Sequence, residues 1–140
     1  MIEQILPYYR TKLNALGYEE HESVFDFTNI AENRSDLKYQ LTWNGTGVPS
    51  QNLYVMSIDQ PILISVFIEG FNDEQATRDR AILKADEIIV ELLNHYTNNT
   101  TNVNNMTLNS FEILPISESN DNDMRIDIST TARVYGSVFC

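Results

Sequence analysis

The two histidines are the first residues to test for chemistry, because an imidazole can bind a metal ion or transfer a proton near neutral pH. His21 and His95 are far apart in the sequence, and neither belongs to a cluster of cysteines, histidines or carboxylates at metal-ligand spacing. His95 falls near the end of a predicted helix, where the negative end of the helix dipole favours a positive side chain. We therefore predict no metal site.

The acidic segment 117–123 is the second candidate, because carboxylates bind hard cations. Asp121 and Asp123 superficially resemble part of a calcium loop, but the glycine and the distal glutamate that such a loop requires are missing at the proper offsets. We interpret the segment as an acidic turn that forms the solvated tip of a hairpin.

The remaining signals for catalysis are incomplete. The pair Gly45 and Gly47 is not followed by the Lys-Ser/Thr of a phosphate-binding loop, and no serine lies in a G-x-S-x-G elbow. The single cysteine, Cys140, cannot form an internal disulfide. We predict no catalytic residues and no cofactor, so the chain is not expected to be an enzyme.

The composition fits one folded domain spanning 1–140. A length of 140 residues with 42% hydrophobic residues supports a two-layer core of helices on a sheet. The longest apolar run, 61–68, is too short to span a bilayer, so no membrane partner is expected. The net charge of −11 argues against direct binding to nucleic acid, which selects for clustered lysines and arginines.

Apolar residues at spacings of three and four predict a first helix near the N-terminus. Pro7 is expected to delay or bend this helix, and Gly17 to end it in a left-handed conformation. The charged Arg10 and Lys12 are predicted to lie off the apolar face. That face consists of Ile2, Ile5, Leu6, Tyr9, Leu13 and Leu16.

A second, longer helix is predicted over about 73–96. Asn72 is the expected N-cap, with Gln75 as its partner in a capping box. Ile88 and Leu92 are expected to be buried against the sheet. The full apolar stripe comprises Ala81, Ala85, Ile88, Ile89, Leu92, Leu93 and Tyr96.

Four segments read as strands: 37–43, which alternates apolar and polar residues, 53–69, 106–114 and 124–139. The last two are expected to pair as a hairpin. The resulting element order is α-β-β-α-β-β. We therefore predict an α+β fold, a four-stranded, mainly antiparallel sheet with both helices on one face.

The strand 61–69 has one wholly apolar face and a second face that is half apolar. It is therefore expected either to lie inside the sheet or to have its second face covered by another subunit. The second face supplies the predicted subunit interface, which is Leu63, Ser65, Phe67 and Glu69.

The segment 44–52 is rich in turn-forming residues and is predicted to be an exposed, flexible loop. Such a loop suits a surface that becomes ordered on a partner. An idle surface loop is the alternative. The predicted partner-binding residues are Asn44, Gly45, Thr46, Gly47, Val48, Ser50, Gln51 and Asn52.

The order of these segments carries a family resemblance. The parts concerned are Phe25 to Trp43, Val66 to Phe71, the long helix, and Arg125 to Tyr135. Over nearly the whole chain they resemble bacteriophage tail terminator proteins of the lambda type. The match rests on patterns of hydrophobicity, and the polar run 97–105 and the Pro61 interruption depart from it.

The resemblance implies a structural virion protein. Its homohexameric ring would sit on the last ring of the tail tube, stop tube polymerisation and offer the surface for head–tail joining. The implied partners are further copies of the chain, the tail-tube protein and a neck or head-completion protein, with DNA passing through the ring. The implied location is the virion tail or neck, and the host cytoplasm during assembly.

Two other functions remain open from the sequence. A neck or head-completion protein of a tailed phage would use a related small fold and would bind filled heads first. A small non-viral enzyme or ligand-binding module would instead be monomeric or dimeric and would have a polar pocket.

Overall fold

The computed structural model describes residues 2–20, 36–70, 73–94, 103–116 and 122–137. These ranges form two helices and one sheet. The elements are a 3-10 turn Ile2–Gln4, helix α1 Ile5–Ala15, strands β1 Glu19–Glu20, β2 Lys38–Trp43, β3 Val48–Gln51 and β4 Val55–Ile68, helix α2 Glu74–Leu93, and strands β5 Val103–Pro115 and β6 Met124–Ser137.

The sheet is mixed and has six strands, in the order β1-β2-β4-β6-β5, with β3 also paired to β4. β1 runs parallel to β2, and the other described pairs are antiparallel. The prediction of a four-stranded, mainly antiparallel sheet in the order α-β-β-α-β-β is therefore wrong. The pairing of β5 with β6, and the central position of β6, agree with the predicted hairpin.

β1 and β3 are the strands that the sequence pattern did not predict. β1 contains two glutamates, and β3 reads Val-Pro-Ser-Gln, so neither has the alternation or the β-branched residues of a strand. Backbone pairing to a longer neighbour holds each of them in place. The interpretation of 44–52 as a flexible loop is wrong for 48–51, which pair with 56–59 of β4.

β4 lies inside the sheet. It pairs with β6 along its whole length on one side, and with β2 and then β3 on the other. Pro61 is placed where β2 ends and β3 begins, and its carbonyl accepts a hydrogen bond from Asn44 N at 3.0 Å. The backbone nitrogen of Pro61, which carries no hydrogen, faces this gap. A hydrogen bond of the sheet is therefore not lost, which explains how a proline fits into a central strand.

α1 starts at Ile5, so Pro7 occupies the first turn, where backbone N–H groups have no partner within the helix. Its C-terminal end is a Schellman motif. Gly17 has a φ of +91° and donates to Asn14 O at 3.0 Å, while Tyr18 N donates to Leu13 O at 3.2 Å. The predicted end of the helix at Gly17 is therefore confirmed.

α2 agrees with the predicted long helix, except that its N-cap is Asp73 rather than Asn72 and that Leu93, predicted to belong to the apolar stripe, is exposed. The carboxylate of Asp73 accepts hydrogen bonds from Gln75 N at 3.0 Å and Ala76 N at 3.4 Å. Ile88 and Leu92 have no exposed surface, which confirms their predicted burial. The terminal residues of the predicted helix, including His95 and Tyr96, lie outside the described residues.

Side chains of α1 satisfy the C-terminal carbonyls of α2. The hydroxyl of Tyr8 donates to Leu92 O at 2.9 Å, and the ammonium group of Lys12 donates to Asn94 O. Lys12 is fully buried, so its predicted position off the apolar face is wrong. Burial lowers the pKa of Lys12, because it disfavours the charged form. The positive charge of Lys12 thus lies at the C-terminal end of α2, where the helix dipole is negative.

The core lies between the two helices and one face of the sheet. Its side chains come from alternate positions of the long strands, as the pleat requires. The fully buried members include Ile5, Tyr9, Leu13, Tyr39, Ile62, Ile64, Val66, Ile68, Ala81, Ile88, Leu92, Val103, Ile126, Ile128, Ala132 and Val134. Neither helix in the described part of the chain combines the length and hydropathy that crossing a membrane requires.

Candidate assembly surface

The described residues contain no group of three or more His, Cys, Asp or Glu side chains that could hold a metal ion. His21, His95, Asp121 and Cys140 lie outside them. Asp123 is buried, and its carboxylate accepts a hydrogen bond from Gly70 N at 2.6 Å. Its interpretation as part of a solvated tip is therefore wrong, because this carboxylate ties the end of β4 to the start of β6.

The most distinctive surface is a three-stranded extension of the sheet, which we call the arm. The arm consists of β3, residues 55–58 of β4 and residues 134–137 of β6. All four residues of β3 are exposed, and Val48 is exposed by 61%. Backbone pairing therefore supports the arm, and several of its side chains face solvent.

The arm carries no charge in a strongly acidic protein. Neither 44–58 nor 134–137 contains an aspartate, glutamate, lysine or arginine, although the chain has a net charge of −11. The first charges are at the base of the arm, where Arg133 pairs with Asp59 through Nε–Oδ1 and NH2–Oδ2 distances of 2.6 and 2.8 Å. The hydrogen bond from Arg133 lowers the pKa of Asp59. A second acidic molecule can approach this surface with little electrostatic repulsion.

The tip of the arm is an ordered turn with exposed apolar side chains. The Asn52 side chain accepts hydrogen bonds from Tyr54 N at 3.0 Å and Val55 N at 2.9 Å, and Asn52 N donates to Val55 O at 3.0 Å. Leu53 and Tyr54 are exposed by 76% and 67%. The tip therefore presents two large apolar side chains on a fixed backbone.

The base of the arm is fixed by Gln60. Its side chain is buried in the gap between β2 and β3, and Nε2 donates to Gly45 O and to Pro61 O, both at 3.0 Å. A Cβ on Gly47 would lie 2.6 Å from Gln60 Oε1, so the chain approaches closely here because position 47 is glycine. The glycines of this segment therefore serve packing and turning of the chain.

The structure brings the predicted partner-binding residues together at the base, edge and tip of the arm. Asn44, Gly45 and Thr46 lead from β2 into β3, Gly47 packs on Gln60, and Asn52 orders the tip. The remaining three, Val48, Ser50 and Gln51, are exposed on β3. Their role in binding a partner stays a prediction.

The predicted subunit interface is largely covered within the chain. Ser65 is buried and its hydroxyl donates to Asp127 Oδ1 at 2.8 Å, while Phe67 is buried against Ile116. Leu63 is half-buried, and only Glu69 is exposed. The role of these four residues stays a prediction, but Ser65 and Phe67 offer little surface to another subunit.

A second apolar surface is a groove beside the start of α1, about 390 Å³ in volume. Trp43 forms one wall and is exposed by 44%, because the end of β2 extends beyond the cover of the helix. Its lining residues are Ile2, Glu3, Leu6, Pro7, Arg10 and Trp43. Arg10 is paired with Glu20 at an Nε–Oε2 distance of 2.5 Å, which leaves the groove mainly apolar.

Further exposed apolar side chains lie on α2 and β5. Ile82 and Leu93 of α2 are exposed by 51% and 46%, and Phe111 of β5 by 52%. Sequence reasoning missed Leu53, Tyr54 and Phe111 as exposed residues. The absence of charge over 44–58 was the available signal for the arm.

Comparisons with known proteins identify no family. No family model and no curated protein sequence matches the chain. Among solved structures, the type 4 fimbrial biogenesis protein PilO from Pseudomonas aeruginosa is similar to it with a TM-score of 0.41 and 13% identity, over 96% of this chain and 69% of that one. A likeness at this level supports no conclusion about fold or function.

Proposed function

We propose that this chain is a structural virion protein that forms a ring on the tail tube of a long-tailed bacteriophage. In this role it stops tube polymerisation and provides the surface for head–tail joining. The resemblance of Phe25 to Trp43, Val66 to Phe71 and Arg125 to Tyr135 to tail terminators motivates the proposal. The observation that carries it is the uncharged arm with its exposed apolar tip.

The arm supports an assembly role because its edge strand β3 and its tip are exposed. Leu53 and Tyr54 are mostly exposed, and apolar side chains clustered at one exposed place are typical of protein interaction sites. Arm and groove are different surfaces of the same subunit. A contact between two different surfaces is heterologous, and it generates a ring when the rotation between successive subunits closes.

The test uses the tail-tube protein of the same phage. Tubes are polymerised with and without this protein, and their lengths and ends are examined by electron microscopy. We expect shorter tubes with a ring-shaped density at one end. A matched sample containing the Leu53→Ser/Tyr54→Ser variant controls for nonspecific effects and is expected to leave tube length unchanged.

Tubes of unchanged length with bare ends would overturn the proposal. Binding to DNA-filled heads in the absence of tails would instead indicate the neck or head-completion protein. Light scattering after size exclusion adds an independent readout, since the ring is expected only when the tube is present or at high protein concentration.

A further inference from the structure

We infer that the tip of the arm of one subunit inserts into the Trp43 groove of a second copy of this chain. The inference rests on the ring proposed above and names the subunit contact that would build it. The apolar tip residues are Leu53, Tyr54 and Val55, and the groove is the one lined by Ile2, Glu3, Leu6, Pro7, Arg10 and Trp43.

Tip and groove match in chemistry. The tip offers a leucine and a tyrosine, both mostly exposed, and the groove offers apolar walls from Ile2, Leu6 and Trp43. The groove volume of about 390 Å³ is at the lower end of the range of roughly 300–1,000 Å³ that accommodates small ligands. It is therefore large enough for side chains but not for a large cofactor.

The tip of a subunit cannot reach the groove of the same subunit. Trp43 pairs with Ile62, and Val55 at the tip is seven residues further along the same strand. At ~3.3 Å per residue, the tip and the groove are separated by roughly 23 Å along β4. This part of β4 is paired with β6 throughout and therefore cannot fold back on itself. The tip can therefore occupy a groove only in another molecule.

Charge favours a second copy as the occupant. Two molecules with a net charge of −11 repel each other, and this repulsion is smallest when they meet through a surface that carries no charge. Residues 44–58 form such a surface. The groove lining has only two charged side chains, Glu3 and Arg10, and Arg10 is paired with Glu20. When the tip of one copy approaches the groove of another, the electrostatic repulsion between the two molecules is therefore small at the contact.

The tip is also preorganised. The hydrogen bonds from Tyr54 N and Val55 N to Asn52 Oδ1 fix the turn before any contact is made. Binding consequently costs little backbone entropy. One buried aromatic side chain contributes roughly 150–250 Å², so the tip alone remains well below the ~800 Å² per partner of a stable interface. A single contact is therefore weak, and a ring gains stability from repeating it.

The single tryptophan makes the contact measurable. Trp43 is the only tryptophan in the chain and forms a wall of the groove, so its emission reports on groove occupancy. The reporter molecule is the Leu53→Ser/Tyr54→Ser variant, which has the groove but no apolar tip. The titrant is the Trp43→Phe variant, which retains the tip and does not contribute tryptophan emission.

We expect a saturable blue shift of the reporter emission as the titrant is added. A titrant that also carries Leu53→Ser and Tyr54→Ser should bind roughly tenfold or more weakly. The matched control titrant carries Leu83→Ser and Val90→Ser, two similarly exposed residues of α2, and should give the full shift. No shift up to ~1 mM titrant, or an equal shift with the tip-less titrant, would overturn the inference.

A second measurement tests the contact in the assembled state. Gln51→Cys beside the tip and Glu3→Cys in the groove lining are combined in a Cys140→Ser background, which leaves Leu53, Tyr54 and Leu6 in place. The protein is treated with a short thiol cross-linker on tail tubes. We expect cross-linked multimers, and none from either cysteine alone. If the tubes are capped but neither cross-links nor an emission shift is observed, the inference is refuted and the proposed function remains intact. An emission shift without capping refutes the proposed function and supports the contact.

Discussion

The helix-covered part of the sheet and the arm are stabilised in opposite ways. Under α1 and α2, buried side chains such as Ile64, Ile126 and Leu92 carry the stability. In the arm, backbone pairing of β3, β4 and β6 holds the strands while many side chains face water. The core should therefore be sensitive to changes of side chain, and the arm to changes that disturb its backbone.

The comparison also distinguishes the residues that stabilise the fold from those that are available to a partner. The groove beside α1 and the exposed side of α2 carry charged side chains, whereas residues 44–58 carry none. The side chains of Leu53 and Tyr54 are mostly exposed and do not belong to the hydrophobic core. A partner that covers them would explain their presence, which is the reason for proposing an assembly surface at the arm.

The largest expected effect is in the core. Leu92→Ala removes a fully buried side chain between α2 and the sheet and should lower the free energy of unfolding by roughly 2–5 kcal/mol. Urea denaturation measures the change. The control, Leu83→Ala, alters an exposed residue of the same helix and should change stability by less than about 0.5 kcal/mol. Equal midpoints for the two variants would contradict the assigned face of α2.

Alkaline pH should weaken the core through its buried tyrosines. Burial raises the pKa of Tyr8 and of Tyr39 to about 12, from an ordinary value of 10.0. Because the unfolded chain loses these protons first, stability is fully present below about pH 10 and falls as the pH rises towards 12. Urea denaturation across this range measures the loss.

The double variant Tyr8→Phe/Tyr39→Phe is the control for the pH effect. It should show a smaller loss of stability between pH 10 and 12, because two of the ionising groups are absent. Tyr8→Phe alone also removes the hydrogen bond to Leu92 O, at a cost of about 1 kcal/mol at neutral pH. A pH dependence identical to that of the wild type would show that other groups dominate the alkaline transition.

A smaller effect is expected at the base of the arm. Gln60→Ala removes both hydrogen bonds to the carbonyls of Gly45 and Pro61 and should cost about 1–3 kcal/mol. Hydrogen exchange should become faster in 46–51 and remain unchanged in α2. Gln51→Ala, an exposed residue of β3, serves as the control. Equally fast exchange in α2 would mean that arm and core open as one unit.

The smallest effect on stability is expected at the tip. Leu53→Ser and Tyr54→Ser should each change the free energy of unfolding by less than about 0.5 kcal/mol, because both side chains are exposed. The same variants should abolish the effect on tube length. A clear loss of stability, measured by urea denaturation, would show that the tip supports the fold and would remove the reason for assigning it to a partner.

The sequence predicted the elements whose pattern depends on local spacing. α2 was predictable because Ala81, Ala85, Ile88 and Leu92 repeat with the helical period, and these residues are buried as expected. The end of α1 was predictable because Gly17 adopts a conformation that other residues rarely accept. β2 and β6 were predictable from alternation along a half-buried strand.

Part of the candidate assembly surface was also visible in the sequence. The segment 44–52 was identified as a partner-binding segment, but as a flexible loop rather than a paired strand. Leu53 and Tyr54 were missed, because the strand was predicted to begin at residue 53, whereas β4 begins at Val55 and both residues lie in the turn before it. The exposed part of Trp43 was missed, because alternation alone does not show where a strand extends beyond the core.

By itself, therefore, the sequence determined the two helices, the long strands and the contrast between an acidic body and an uncharged segment. Only the tertiary structure decided that Glu19–Glu20 and Val48–Gln51 become strands. Their own residues show no strand pattern, and backbone pairing with 38–39 and with 56–59 holds them in the sheet. The tertiary structure also decided the burial of Lys12, because the carbonyl of Asn94 at the end of α2 accepts a hydrogen bond from its ammonium group. Local sequence patterns indicate the period of a helix or strand. The pairing of short strands and the burial of a charged residue depend instead on the elements that lie next to them in space.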